Sequence, residues 1–130
     1  MAVQSTAHAQ DTLPRATLLY QNFPNPFPAE GQEATCLSFD VSATGAVELE
    51  ILDLRGNLVR RLIPSPDFPG LLPAGRYGRG GSGGATCDPR LTWDGSTSDG
   101  RIVPPGIYLM MLEASGRRFF RRIVFRGRRP

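Results

Sequence analysis

The chain has 130 residues, enough for one domain that buries its own core. Its 15 glycines and 12 prolines exceed average usage but stay below the level of a wholly disordered chain, so short strands between frequent turns are expected. All 15 basic residues are arginine, and seven (117, 118, 121, 122, 126, 128 and 129) fall in residues 117–130 without an acid, leaving −4 in the remainder. Such a cationic end can meet nucleic acid, anionic lipid or an acidic protein face, or can simply be a solvated edge strand and tail.

In chain order, "STAHAQD" (5–11) carries the small-x-small pattern of a signal-peptidase site, with Ala7 and Ala9 before Gln10. "MAVQSTAHA" has no apolar run before it. Residues 1–17 are therefore expected to be a signal-peptide remnant and flexible lead, either because the start codon lies upstream or because only the end of the signal is kept. Export to the periplasm or cell envelope follows from that reading. No stretch approaches 18 apolar residues, so no membrane-spanning helix is expected.

"YQNFPNPFP" (20–28) packs three prolines and three aromatics into nine positions. Proline lacks a backbone donor and fixes φ, so the segment is expected to be neither helix nor paired strand. From there the pattern is strand-like, alternating every second residue. "TCLSFDVS" (35–42) alternates Leu37, Phe39 and Val41 with polar neighbours, and "AVELEILDL" (46–54) alternates Val47, Leu49 and Ile51 with Glu48 and Glu50. A turn at Asp53–Asn57 leads to "LVRRLI" (58–63). Residues 64–89 read as irregular, first proline-punctuated and then glycine-rich. Strands resume with "RLTWD" (90–94), "GIYLMMLEA" (106–114) and "RRFFRRIVF" (117–125). Six or seven short strands joined by tight turns predict an all-β antiparallel sandwich with Leu37, Phe39, Leu49, Ile51, Trp93, Tyr108, Leu112 and Ile123 in its core.

The order "LYQNFPNPF", "LEILDLRGNLVRRL", "LPAG", "LTWDGSTSDGRIVPPGIYLMMLEA" and a basic final strand resembles the immunoglobulin-like domain of the flagellar hook-capping protein. It is similar also to the C-terminal sorting modules of type IX secretion cargo. The resemblance runs from about Leu18 to Phe125. It implies an immunoglobulin-like (fibronectin III-like) sandwich of about seven strands over residues 18–126, followed by a basic tail, 127–130. It also implies that Tyr20, Phe23 and Phe27 plug an open end or edge of the sandwich. The glycine-rich stretch 78–89 departs from the family as an insertion, and the module is expected to stand without a cargo domain.

Cys36 and Cys87 are the only cysteines, without a C-x-x-C spacing. Export favours a disulfide and a reducing compartment two buried thiols; the bonded form is expected, pinning the insertion to the first core strand. The single histidine, His8, lies in the presumed signal remnant, there is no lysine, and Ser and Thr lack a base. No enzyme and no cofactor are expected. "GRGGSGG" lacks the Gly-Lys-Ser/Thr ending of a phosphate loop. "DGSTSDG" (94–100) has too few ligands and no closing glutamate for calcium, and its Asp-Gly pairs suit a turn. The arginines with Phe119, Phe120 and Phe125 invite a nucleic-acid reading, yet core packing and export argue against it.

One feature points to a partner. Both faces of "GIYLMMLEA" are apolar, with Tyr108, Met110 and Leu112 on one and Ile107, Leu109 and Met111 on the other. One face serves the core; the other must be covered by the lead-in, by the insertion or by another protein. Ile107, Leu109 and Met111, with Arg117, Arg118, Arg121 and Arg122, are the candidate partner-binding residues. The expected role is a non-catalytic accessory or scaffold subunit docking on protein subunits of an envelope or membrane complex, such as a respiratory or photosynthetic complex or a surface appendage, with an anionic membrane surface as a further contact. The alternative is a type IX sorting module, or an orphan of a cargo protein.

Overall fold

The computed structural model describes residues 13–78 and 86–128. Among these residues the chain is all-β, with no helix beyond a 3-10 turn at Pro89–Leu91. Ten strands form: β1 Leu18–Leu19, β2 Thr35–Cys36, β3 Phe39–Val41, β4 Gly45–Leu52, β5 Leu58–Ile63, β6 Leu71–Leu72, β7 Gly75–Tyr77, β8 Thr92–Trp93, β9 Gly106–Ala114 and β10 Arg117–Phe125. Every strand pairing is antiparallel.

The larger sheet runs β10-β9-β4-β5, with β6 on the start of β4. Val47, Leu49 and Ile51 of β4, where apolar and polar residues alternate, and Tyr108, Met110 and Leu112 of β9, which is apolar on both faces, all point to the core and are buried. Facing them are β1-β3-β7 and the pair β2-β8. The arrangement is sandwich-like, and all eight residues expected in the core are buried there.

Three expectations need correction. The stretch 35–42 is two strands, β2 and β3, because at Leu37 the backbone turns aside to bond Leu91 (Leu37 N donating to Leu91 O, 2.9 Å). Its polar side is not solvated: Asp40 is only 3% exposed. Asp40 accepts from Arg76 (2.9 Å) and from the Tyr20 hydroxyl. The irregular region 64–89 holds β6 and β7, each too short to show alternation. In 90–94 only Thr92 and Trp93 are strand, since Asp88 caps a 3-10 turn by accepting from the Arg90 amide.

The proline-rich lead-in also pairs, contrary to expectation. It does so at its non-proline positions, where an amide is free to donate. β1 joins β3, Phe23 bridges Cys36, and Phe27 forms a parallel bridge with Phe125. All three X-Pro bonds between Phe23 and Pro28 are cis. The segment thus runs along the seam between the layers, bonded to β2 and β3 on one side and to β10 on the other.

Candidate functional site

Residue parity in β10 decides which side chains meet. Its register against β9 places Arg118, Phe120, Arg122 and Val124 opposite Glu113, Met111, Leu109 and Ile107. Directly paired residues share a face, so these eight project away from the core. The register of β4 adds Glu48, Glu50 and Leu52 to the same outer face, and β5 adds Leu58 and Arg61. Phe120, Ile107 and Leu58 are exposed (51%, 43% and 51%), while Met111 at 5% is shielded outside the core cluster. Its cross-strand neighbours are Phe120 and Glu50.

Charge frames this apolar strip. Arg61 pairs with Glu50 at 2.7 Å and Arg118 with Glu113 at 3.1 Å. Glu48 lies directly opposite Glu113, and Arg122 opposite Leu109. The seven expected interface residues are therefore split. Ile107, Leu109, Met111, Arg118 and Arg122 come together on the outer face. Arg117 and Arg121 do not: they belong to the inward-facing set with Phe119 and Ile123. Arg117 lies over the Phe119 ring at 5.5 Å, and Arg121 donates to the Leu19 carbonyl of the lead-in (3.0 Å). Alternation along "RRFFRRIVF" carries this separation, and it is lost when the arginines are grouped by composition. Leu52, Leu58, Phe120 and Val124 are further members of the face that strand pairing alone reveals.

The lead-in does not cover this face. Phe27 is fully buried between Trp93 and Phe125, with ring centroids 5.4 and 5.0 Å away. The plug is thus one aromatic rather than three, for Tyr20 is 40% and Phe23 59% exposed. Phe27 N donates to Val124 O (3.0 Å), Arg126 N to Phe27 O (2.7 Å), Gln21 Nε2 to Arg122 O (2.6 Å), and Val124 N to Asn25 Oδ1 (2.9 Å). These bonds occupy the end of the β10 edge from Arg122 onward. The hydrogen bond that Tyr20 donates to Asp40, with burial, pushes the phenol pKa up.

Cys36 and Cys87 are disulfide-bonded, with Cα atoms 6.0 Å apart. The bond ties β2 to the neck of the insertion, where Asp88 N donates to Gly78 O (2.8 Å). The glycine-rich expectation for 79–85 lies outside the described residues, as does the signal-remnant expectation for 1–12.

The carboxylates of the 94–100 turn serve the turn and the C-terminal segment. Asp94 accepts from the Ser96 amide (3.1 Å) and hydroxyl and pairs with Arg128 at 3.1 Å; Asp99 accepts from Thr97. Burial works against ionised Asp94, but Ser96, Arg128 and Arg60 outweigh it and its pKa lies below the ordinary value. Arg128 of the basic tail is accordingly tied down rather than frayed. Among the described residues, no three His, Cys, Asp or Glu side chains cluster as metal ligands would.

Compared with known protein families and with curated proteins, the chain matches none. No helix among the described residues is long and apolar enough to cross a membrane.

Proposed function

We propose that this chain is an exported, non-catalytic immunoglobulin-like module that docks on a larger membrane-bound or envelope assembly through the outer face of β10-β9-β4-β5. The observation carrying this reading is the apolar strip across all four strands. Ile107, Leu58 and Phe120 are exposed around a shielded Met111, whereas the end of the β10 edge is bonded to the lead-in. An antiparallel sheet that ends at water normally alternates to polar residues on that side. A contiguous apolar face rimmed by charge is the pattern of an interaction surface. The disulfide supports export, because such bonds persist in oxidising compartments. Arg122, beside Leu109, supplies a cation for an acidic protein rim or an anionic headgroup.

The test is co-purification with native membranes after crosslinking. Ile107→Asp with Phe120→Asp places charge at two exposed positions, so the fold should survive. The nearly buried Met111 is a poorer choice, since Met111→Asp would bury a charge. Loss of the co-purifying proteins from the folded double variant is the expected result. Retention at wild-type levels would contradict the reading.

The order of sequence motifs favours a second reading, a type IX sorting module. Fusing residues 18–126 to an exported reporter separates the two: delivery of that reporter to the cell surface supports sorting, and retention in the periplasm supports docking.

A further inference from the structure

Antiparallel pairing gathers four segments at one end of the larger sheet. There β4 finishes and β5 starts, joined by the turn at Asp53–Asn57, and β9 starts beside the finish of β10. The loop before β9 is drawn to the same end. The Tyr108 hydroxyl donates to the Pro104 carbonyl, and burial together with the nearby Asp53 charge raises the Tyr108 pKa. A Cβ built on Gly127 would stand 3.4 Å from Pro105, so the chain after β10 also lies against this loop.

These segments leave large apolar side chains in water. Leu54 is 62% exposed and Ile102 44%, with Leu58 and Ile107 exposed beside them. The Leu54 side chain is not needed to form its turn, for Asp53 accepts from the amides of Arg55 (2.9 Å) and Asn57 (2.8 Å). Charge around this tip is cationic. Arg122 and Arg126, two residues before and after Val124, are exposed and form no ion pair among the described residues. Arg55 adds a cation next to Leu54, offset by Asp53, and Asp94 and Asp99 are paired with Arg128 and Arg101. The other end of the sheet has the reverse sign: Glu48 lies directly across from Glu113, with Arg118 on the latter. The molecule thus carries an apolar tip with a cationic collar at one end and paired carboxylates at the other.

We propose that this end docks on an anionic phospholipid bilayer, with Leu54 and Ile102 seated at the boundary of headgroups and acyl chains and Arg122 and Arg126 on lipid phosphates. Interfacial binding grows with the apolar area buried and with attraction to anionic lipid, and the tip offers both. An arginine collar suits the headgroup layer because its apolar stem can follow the tip while the guanidinium stays wet. The acidic end is then held away from the surface. This deepens the docking reading and rests on it for location alone, since Leu58 and Ile107 join the tip to the outer face and would hold a protein partner there at the membrane surface.

The probe is vesicles of phosphatidylglycerol mixed with phosphatidylcholine, or of phosphatidylcholine alone, sedimented with the intact disulfide-bonded protein. Such vesicles hold no protein, so failure here leaves protein docking at the outer face standing. The expected result is sedimentation with the anionic vesicles that weakens about tenfold or more without phosphatidylglycerol or in high salt. Leu54→Ser with Ile102→Ser should weaken it about tenfold or more, whereas Leu71→Ser should leave it unchanged. Leu71 is the control because it is exposed on β6, which pairs with the start of β4 at the acidic end. Placement is read with Leu54→Trp and Leu71→Trp: brominated lipid should quench the first and spare the second, with the buried Trp93 a constant background in both. No sedimentation with anionic vesicles would overturn the proposal. So would an equal loss from Leu71→Ser, or equal quenching at the two positions.

Discussion

Trp93 is fully buried and donates through its indole nitrogen to the Ser96 carbonyl at 2.9 Å, so one side chain both fills the core and fastens the turn after β8. Its ring meets Phe27, Tyr108 and Phe125 at 5.3 to 5.7 Å, in the tilted and edge geometries that aromatic pairs prefer. Trp93→Ala should cost about 3–5 kcal/mol, as large-to-small aromatic changes in cores do, and chemical denaturation reads that loss. Gly95 is constrained by the same cluster. Its φ is +90°, and a Cβ built there would stand 2.3 Å from the Phe125 ring. Phe125 is itself buried and cannot move aside, so Gly95→Ala combines an overpacking penalty with left-handed backbone strain, together about 2–4 kcal/mol. A loss below about 0.5 kcal/mol in denaturation would show that the turn and the ring separate easily.

At the scale of elements, the lead-in and the disulfide close the molecule in different ways. The lead-in joins the layers through Phe27 and the β10 bonds, so Phe27→Ala should cost about 3–5 kcal/mol and speed hydrogen exchange at the Val124 amide. Unchanged protection at Val124 would show that Asn25 holds that edge without the buried ring. The disulfide spans a sequence separation of 51. On the chain-entropy argument, replacing both cysteines by alanine should lower stability by about 4 kcal/mol, less any loss of packing strain. Labelling the unfolded, unreduced protein should find no free thiol. Strands β4, β5, β9 and β10 are legible in the sequence because each is a run of six to nine residues rich in β-branched, aromatic and other apolar side chains between turn signals, and in β4 alternation also fixes the face. Strands β1, β6 and β7 are not, since two or three residues carry no period. Nor is the burial of Asp40 legible, for Tyr20 and Arg76 lie 20 and 36 positions away. The outer face was half legible: Ile107, Leu109 and Met111 follow from alternation in β9, while Phe120, Leu52 and Leu58 need the pairing of strands.

For the whole molecule, far-ultraviolet circular dichroism should report strand and turn with little helix. Acid should destabilise the fold. The pKa of Asp88 is lowered chiefly by the Arg90 side chain, and that of Asp94 is lowered by Ser96, Arg128 and Arg60 against the opposing effect of burial. A carboxylate with a lowered folded pKa binds fewer protons folded than unfolded, so its contribution is present above the unfolded value of about 3.9 and lost as pH falls through the folded value. Denaturation midpoints should therefore hold steady above about pH 5 and drop below about pH 4. A midpoint that rose on acidification would contradict these assignments. Salt should matter at the docking face, because screening shortens the reach of Arg122 and its paired neighbours.

The docking claim is tested most directly by site-specific photocrosslinking in native membranes. A photoreactive amino acid at Phe120 samples the outer face, and one at Phe23, also exposed, samples the lead-in against the opposite layer. The account predicts a discrete crosslinked protein from position 120 and none from position 23. Equal yields from both positions, or none from position 120 with the protein folded and membrane-associated, would contradict it.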